Sequence, residues 1–315
     1  MRRVAREAGI FVLFLLLSIA LTWPLAIRLD TAVADLGDPL LNVWIVDWVC
    51  HALTHAPLAM YDAPIYHTGL YPLAYSENLV GIALIVLPFH LAGFSAVTVY
   101  NIAMLLGFAF SAYGAFVLAR LVTRSTAGAL VGAIFFAFGS FKFSHLAHLQ
   151  IIWSGWLPLL LAALLVYWRA PSRKHAALLA GAFLMNGLTN IHWLLFGGFA
   201  LGVTIIFLHV AEPRRERRFW LQLVAALLIA CLVLLPFLIP YQLVAKEYGA
   251  RRTTAEARLG SASWTDWLIA WTHNRVYGPV PGPELRRAER QLFPGLLILF
   301  LVGTAVVLRH RPLVI

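Results

Sequence analysis

Nine long runs of apolar residues constrain this fold more than any other feature. A run of about 20 mostly apolar residues is long enough to cross the hydrocarbon core of a bilayer. Within lipid, a helix is the simplest structure that satisfies its own backbone N–H and C=O groups. The sequence therefore predicts an all-α, polytopic membrane helical bundle in which residues 1–315 form one transmembrane domain. The runs are 9–27, 79–94, 97–119, 126–141, 152–168, 175–189, 193–210, 219–243 and 292–308.

The composition excludes an ordinary soluble protein. Only 12% of the residues are charged and 61% are hydrophobic, whereas a soluble domain carries about 25% charged residues. The net charge of +10 is compatible with nucleic-acid binding or with the arginine bias of cytoplasmic loops. Because the basic residues form short clusters between apolar runs, the second interpretation is favoured and nucleic acid is not an expected partner.

The charges also predict an orientation. Of the 14 acidic residues, six lie in 28–77 and five in 244–290, which we interpret as the first and second outward loops. Basic residues cluster in the short connections, and such loops stay in the cytoplasm. The charges therefore predict a multi-pass protein with a cytoplasmic N-terminus. The basic clusters occupy 120–124, 169–174 and 214–218.

This orientation leaves one conflict. An odd number of crossings must separate the loop 28–77 from Arg120, yet two apolar runs lie between them. Either one of the two runs is half-inserted, or the connection after Arg120 faces outward. Tryptophans at helical spacing also predict helices lying in the membrane interface, over 39–53 in the first outward loop and over 261–272 in the second.

Three acidic residues, in two places, are candidates for catalysis. Asp35 and Asp38 follow the first apolar run, where carboxylates can bind a divalent cation or act as a general base. A solvated acidic turn is the alternative. Glu77 lies at the mouth of the next apolar run. The alternative for Glu77 is an acidic residue in the first turn of a helix capped by Ser76.

Three further groups of residues are candidates for substrate binding. His145 and His148 are three residues apart, with Gln150 close behind; they can bind a metal, sugar or phosphate, or serve only as interfacial polar residues. Asn190 and His192 form either a polar site or a plain turn between two helices. In the loop 244–290, arginines beside an aromatic residue suit a lipid phosphate, although a charged loop without a ligand has the same composition. These residues are Tyr248, Arg251 and Arg252.

The order of these motifs resembles the bacterial GT-C-type glycosyltransferase superfamily, which comprises multi-spanning enzymes that use a polyprenyl-phosphate-linked sugar. The first motif is Leu36-Gly37-Asp38-Pro39, followed by Trp44 and Trp48. The others are Tyr71-Pro72-Leu73-Ala74-Tyr75-Ser76-Glu77, the group His145, His148 and Gln150, and Leu292-Phe293-Pro294-Gly295 before the last run.

The resemblance implies a function and roles for residues. Asp38 matches the aspartate that serves as base or metal partner, with Asp35 as its rival. Glu77 takes a second acidic role and joins Asp38 in holding a divalent metal ion. Arg251 and Arg252 hold the donor phosphate. The implied partners are a polyprenyl-phosphate-linked sugar and membrane lipid, and the implied location is the bacterial cytoplasmic (inner) membrane.

Two departures and two rivals accompany this resemblance. Superfamily members have more helices and often a soluble C-terminal domain, so the chain is expected to be a fragment or a reduced relative. The rival functions are a membrane transporter or flippase, and a non-catalytic membrane subunit that binds a lipid-linked sugar. Transporters place ionisable residues near the middle of the membrane, whereas the polar residues here lie in the loops. Carboxylates Asp38 and Glu77 around one cavity with His148 favour the enzyme.

Overall fold

The fold is described by a computed structural model that covers residues 2–66, 69–214, 216–249, 253–277 and 288–308. Within these ranges all regular secondary structure is helical. Short 3-10 helices occupy Leu25–Ile27, Pro57–Ala59, Pro72–Tyr75, Trp264–Leu268 and Ala288–Arg290. The α-helices are α1 (Arg2–Leu21), α2 (Asp38–His55), α3 (Val80–Leu91), α4 (Ala96–Thr123), α5 (Thr126–Phe138), α6 (Ser140–Ser144), α7 (Leu149–Ile152), α8 (Trp156–Arg169), α9 (Arg173–Thr189), α10 (Ile191–Ala211), α11 (Arg217–Glu247), α12 (Thr254–Leu259) and α13 (Leu296–Val307).

Six stretches of the described chain are long and apolar enough to cross a membrane, so the protein is a multi-pass, all-helical membrane protein. The nine crossings expected from the sequence are more than these six. The remaining three runs fold as α3, α9 and α13, of 12, 17 and 12 residues. A 12-residue helix is about 18 Å long, well short of a core about 30 Å thick. The six stretches are Val4–Leu21, Ala96–Thr123, Thr126–Ser144, Leu149–Arg169, Ile191–Ala211 and Arg217–Glu247.

Helices α1 and α4 pack antiparallel, and two contacts fix their register. The Ser18 hydroxyl, buried in the second half of α1, donates to the Leu105 carbonyl over 2.9 Å. Near the start of α1, Glu7 pairs with Arg120 over 2.9 Å. Arg120 therefore lies at the same end of the bundle as the start of α1. This is the arrangement expected if α3 is the half-inserted segment.

The other basic connections lie at this same end, which we call the basic end. Arg169 donates to the Leu121 carbonyl over 3.3 Å, and Arg214 donates to the Trp168 carbonyl over 2.8 Å. The chain therefore returns to the basic end after α4, α8 and α10. The opposite end, which we call the acidic end, contains Asp38 and Glu77.

Helix α4 lies at the centre of the bundle and contacts α1, α2, α5 and α8. A glycine allows one of these contacts to be close. A Cβ added to Gly107 would lie 2.7 Å from the indole nitrogen of Trp153. That nitrogen donates to the Ala103 carbonyl of α4 over 2.9 Å. Small residues permit such close approach of helices inside membranes, and here they fix the turn between α7 and α8 against α4.

The two predicted interfacial helices have different outcomes. The helix expected over 39–53 is present as α2. The helix expected over 261–272 is wrong in extent, because only the 3-10 helix Trp264–Leu268 forms there. Asp266 forms a capping box at the start of this 3-10 helix by accepting from the Ser263 amide over 2.7 Å, and it also pairs with Arg290 over 3.1 Å. The chain then turns extended at Ile269, whose carbonyl accepts from the Phe293 amide over 3.0 Å.

Candidate functional site

The first half of the site is a contact between a carboxylate at the start of α2 and a histidine in the segment before α7. The Asp38 carboxylate lies 3.2 Å from His148 Nε2, and its side chain is 60% exposed. One turn further along α2, the Asn42 amide donates to the Ala147 carbonyl over 3.1 Å. This second bond holds the beginning of α2 against the histidine segment. Asp38 is thus an accessible carboxylate in a fixed position.

Asp35 has a local role. Its carboxylate accepts from the Gly37 amide over 2.8 Å and so shapes the turn that leads into α2. This contact fits the solvated acidic turn that the sequence left open. Of the two aspartates, Asp38 is the one whose carboxylate pairs with a histidine.

The second half of the site is built around Glu77. Its carboxylate lies 2.8 Å from His192 Nδ1 and accepts from the Ile191 amide over 3.0 Å. The Glu77 side chain is only 10% exposed, whereas that of His192 is 70% exposed. Asn190 caps the same helix, since its side-chain oxygen accepts from the amides of His192 and Trp193. Glu77 thus stabilises the N-terminus of α10, where negative charge is favoured, and orients an exposed imidazole.

This placement differs from the simpler alternative for Glu77. Helix α3 begins only at Val80, after Leu79 in the left-handed region, and Ser76 does not cap it. The segment before α3 is held instead by tyrosines. Tyr241 donates to the Ser76 carbonyl over 2.8 Å, and Asn78 donates to the Tyr61 hydroxyl over 3.2 Å. These bonds fix the chain on both sides of Glu77.

One hydrogen bond joins the two carboxylate–histidine pairs. The indole N–H of Trp193 donates to the Gln150 carbonyl over 2.9 Å. Trp193 follows His192 directly, and Gln150 lies two residues after His148. The structure therefore brings the histidine segment, the start of α2 and the start of α10 together at the acidic end. Side-chain atoms Gln150 Oε1 and His148 Nδ1 are buried without a hydrogen-bond partner in the described ranges.

His145 lies behind this site. Its ring is 5.6 Å from the ring of His148, centre to centre, and its Nδ1 is 2.8 Å from the Phe141 carbonyl. Burial lowers the pKa of His145 from its ordinary value, and the hydrogen bond with the Phe141 carbonyl partly opposes that shift. His145 is therefore a buried neutral imidazole at neutral pH, which supports the site rather than forming its surface.

The structure shows two features that the sequence did not predict. Lys142 is almost fully buried, and its ammonium donates to the Ile151 carbonyl and, over 2.6 Å, to the Ser154 hydroxyl. It thereby ties α6 to the far side of the histidine segment. The only signal for it in the sequence is a single lysine between two apolar runs. Asp47 also pairs with His90, over 3.0 Å, on the same helix as Asp38.

The structure describes the predicted metal ligands but only one of the loop residues predicted to bind phosphate. Among the described residues, no three histidine, cysteine or acidic side chains come together to hold a metal ion. Asp38 and Glu77 each pair with a histidine. Tyr248 accepts from the Leu70 amide over 3.0 Å, and its ring lies edge-on to Tyr75. The predicted phosphate ligands Arg251 and Arg252 lie outside the described residues.

Comparisons with protein-family models, with curated proteins and with solved structures give no match to this chain.

Proposed function

We propose that this protein is a membrane glycosyltransferase that moves a sugar from a polyprenyl-phosphate donor to an acceptor hydroxyl. In this proposal the acidic end faces outward from the bacterial cytoplasmic membrane, and the N-terminus is cytoplasmic. One observation carries the proposal, namely the exposed Asp38 carboxylate held 3.2 Å from His148. A positioned carboxylate beside an imidazole is suited to taking a proton from a hydroxyl group.

The proposed reaction is a single displacement. The acceptor oxygen forms a bond to the anomeric carbon, and the bond from that carbon to the phosphate oxygen breaks. Polyprenyl phosphate leaves with the electron pair of the broken bond. The acceptor hydroxyl gives its proton to Asp38, whose carboxylate is oriented by the imidazole N–H of His148. The resemblance to the GT-C-type superfamily supports the identity of the donor, and the geometry supports the role of the base.

The second pair supplies polar contacts to the substrate. Glu77 holds the imidazole of His192, which is 70% exposed, where it is proposed to contact a sugar hydroxyl or the leaving phosphate. The buried acceptors Gln150 Oε1 and His148 Nδ1 are suited to hydroxyl donors, because a buried acceptor without a donor costs about 1–3 kcal/mol. Arg251 and Arg252 are proposed to neutralise the donor phosphate.

Sugar transfer in lipid vesicles tests this proposal. Purified protein is offered polyprenyl-phosphate sugars, and the wild type is compared with Asp38→Asn and His148→Gln. The matched control is Asp47→Asn, because Asp47 belongs to another carboxylate–histidine pair on the same helix. Loss of a general base lowers the rate by about 10²–10⁴-fold, so Asp38→Asn should lose at least 100-fold while Asp47→Asn stays near the wild-type rate.

Other results separate the rival functions. Equal transfer by the wild type and Asp38→Asn would refute the role of the base. Donor binding without transfer would favour a non-catalytic subunit, and movement of the intact donor between leaflets would favour a flippase. Adding EDTA tests the divalent cation, since a cation held by Asp38 and Glu77 predicts loss of transfer that Mg²⁺ or Mn²⁺ restores.

A further inference from the structure

A groove lies between α4, α8 and α9, with a volume of about 770 Å³. Its walls are mostly apolar, and Trp156 and Met185 line it on the side nearer the acidic end. Arg120, Arg124 and Arg169 line it at the basic end. The groove is therefore apolar along its walls and cationic at its mouth, and the mouth lies at the opposite end of the bundle from the proposed active site.

The charges at the mouth do not cancel. Arg120 is paired with Glu7 over 2.9 Å, and its guanidinium lies 4.9 Å from the Phe116 ring centre. Arg124 and Arg169 are both exposed. Three arginines beside one glutamate leave a surplus of positive charge. Because guanidinium groups bind phosphate oxygens through forked N–H groups, the mouth is complementary to a phosphate.

The length and shape of the groove fit an acyl chain. Helix α8, which forms one wall, has 14 residues and is therefore about 20 Å long. Half of a hydrocarbon core about 30 Å thick is about 15 Å. The volume of the groove also falls in the range of roughly 300–1,000 Å³ that is usual for ligand pockets. Gly181 keeps one wall open, since a Cβ added there would meet nothing within 4 Å.

We propose that this groove binds an anionic diacyl phospholipid, with one acyl chain between α4, α8 and α9 and the phosphate on Arg124 and Arg169. A zwitterionic phospholipid carries its own ammonium group, so the surplus positive charge favours a lipid with net negative charge. Basic pockets between transmembrane helices bind anionic lipid headgroups on the same physical grounds.

Native mass spectrometry of the purified protein tests the site. The probes are phosphatidylglycerol and phosphatidylcholine with identical acyl chains. The charge variant is Arg124→Gln with Arg169→Gln, and its control is Arg217→Gln with Arg218→Gln, which removes the same charge from the same end of the protein. The groove variant is Gly181→Leu, which fills the open space and raises helix propensity. Its control is Gly202→Leu on α10, where a Cβ also meets nothing within 4 Å.

The proposal expects the wild type to retain phosphatidylglycerol in preference to phosphatidylcholine. Both variants of the groove should lose that retention by about tenfold or more, because bonds to a charged group are lost or the slot is filled. Both controls should match the wild type, and free glycerophosphoglycerol should not displace the lipid. Equal retention of the two lipids, unchanged binding by either groove variant, or displacement by the free headgroup would each overturn the proposal.

Discussion

Replacing Glu77 with glutamine tests whether this carboxylate supports the site through α10. The carboxylate accepts two bonds, from the Ile191 amide over 3.0 Å and from His192 Nδ1 at 2.8 Å. Its side chain is 10% exposed, so water replaces these bonds poorly. Glutamine has nearly the same shape but carries no charge and only one acceptor oxygen. The substitution therefore removes the electrostatics and one acceptor while leaving the packing nearly intact.

The two bonds set the size of the effect. A hydrogen bond to a charged group contributes about 1.5–3 kcal/mol, and a neutral one about 0.5–1.5 kcal/mol. Weakening two such bonds reduces the free energy of unfolding by about 2–3 kcal/mol. At about 2–4 °C per kcal/mol, the melting temperature should fall by roughly 4–12 °C.

Thermal unfolding in detergent measures this change, with the folded monomer followed by size-exclusion chromatography after heating. Glu247→Gln is the matched control, because Glu247 is exposed at the last residue of α11. That variant should stay within about 0.5 kcal/mol of the wild type, as for most surface substitutions. A melting temperature of Glu77→Gln equal to that of Glu247→Gln would refute the supporting role. The carboxylate would then have to act on substrate directly.

Three further predictions concern the same end of the bundle. Gly81→Val should reduce stability by about 1–3 kcal/mol, because a Cβ there would lie 2.8 Å from the Thr189 amide nitrogen; Gly181→Val, in open space, is its control in the same melting assay. Asn190→Ala removes the cap of α10 and should cost about 1 kcal/mol, which the melting temperature reports. The pH dependence of stability should include His145, whose pKa in the folded state lies below its ordinary value of 6.5 because of burial. The folded state then binds fewer protons than the unfolded state, so stability is complete above about pH 6.5 and falls as the pH drops toward the lowered pKa. His145→Gln should reduce the fall in melting temperature between pH 6.5 and lower pH. An unchanged fall would show that other groups cause it.

The helices were predictable from the sequence because lipid leaves few alternatives for an apolar run. The length of each helix was less predictable. Residues 79–94 read as one apolar run, yet α3 covers only Val80–Leu91, and after it the Gly93 amide donates to the His90 carbonyl over 3.0 Å in a turn. The start of α3 is also set by its surroundings. Leu79 adopts a left-handed conformation, and the preceding residues are held by Tyr61 and Tyr241. Such bonds come from distant parts of the chain and leave no trace in local hydropathy.

The contacts within the candidate site were also not predictable from the sequence. The sequence placed Asp38, Glu77, His148 and His192 near one face through charge and motif order. It could not pair them, because 110 residues separate Asp38 from His148 and the lateral packing of helices has no periodic signal over such a distance. Lys142 was missed for a related reason. At the end of an apolar run a lysine usually extends to water, whereas here carbonyl and hydroxyl acceptors from the next turn surround its ammonium.

The two carboxylates differ in exposure, and this difference suggests different roles for Asp38 and Glu77. A general base must be accessible, and the proposed base Asp38 is 60% exposed at a helix end that Asn42 fixes. Glu77, at 10% exposure, already accepts two bonds from α10. A substrate that used Glu77 as a base would first have to break those bonds. The polar group that Glu77 offers outward is instead His192, so substitutions of Glu77 should act on stability first, and those of Asp38 on the rate of transfer.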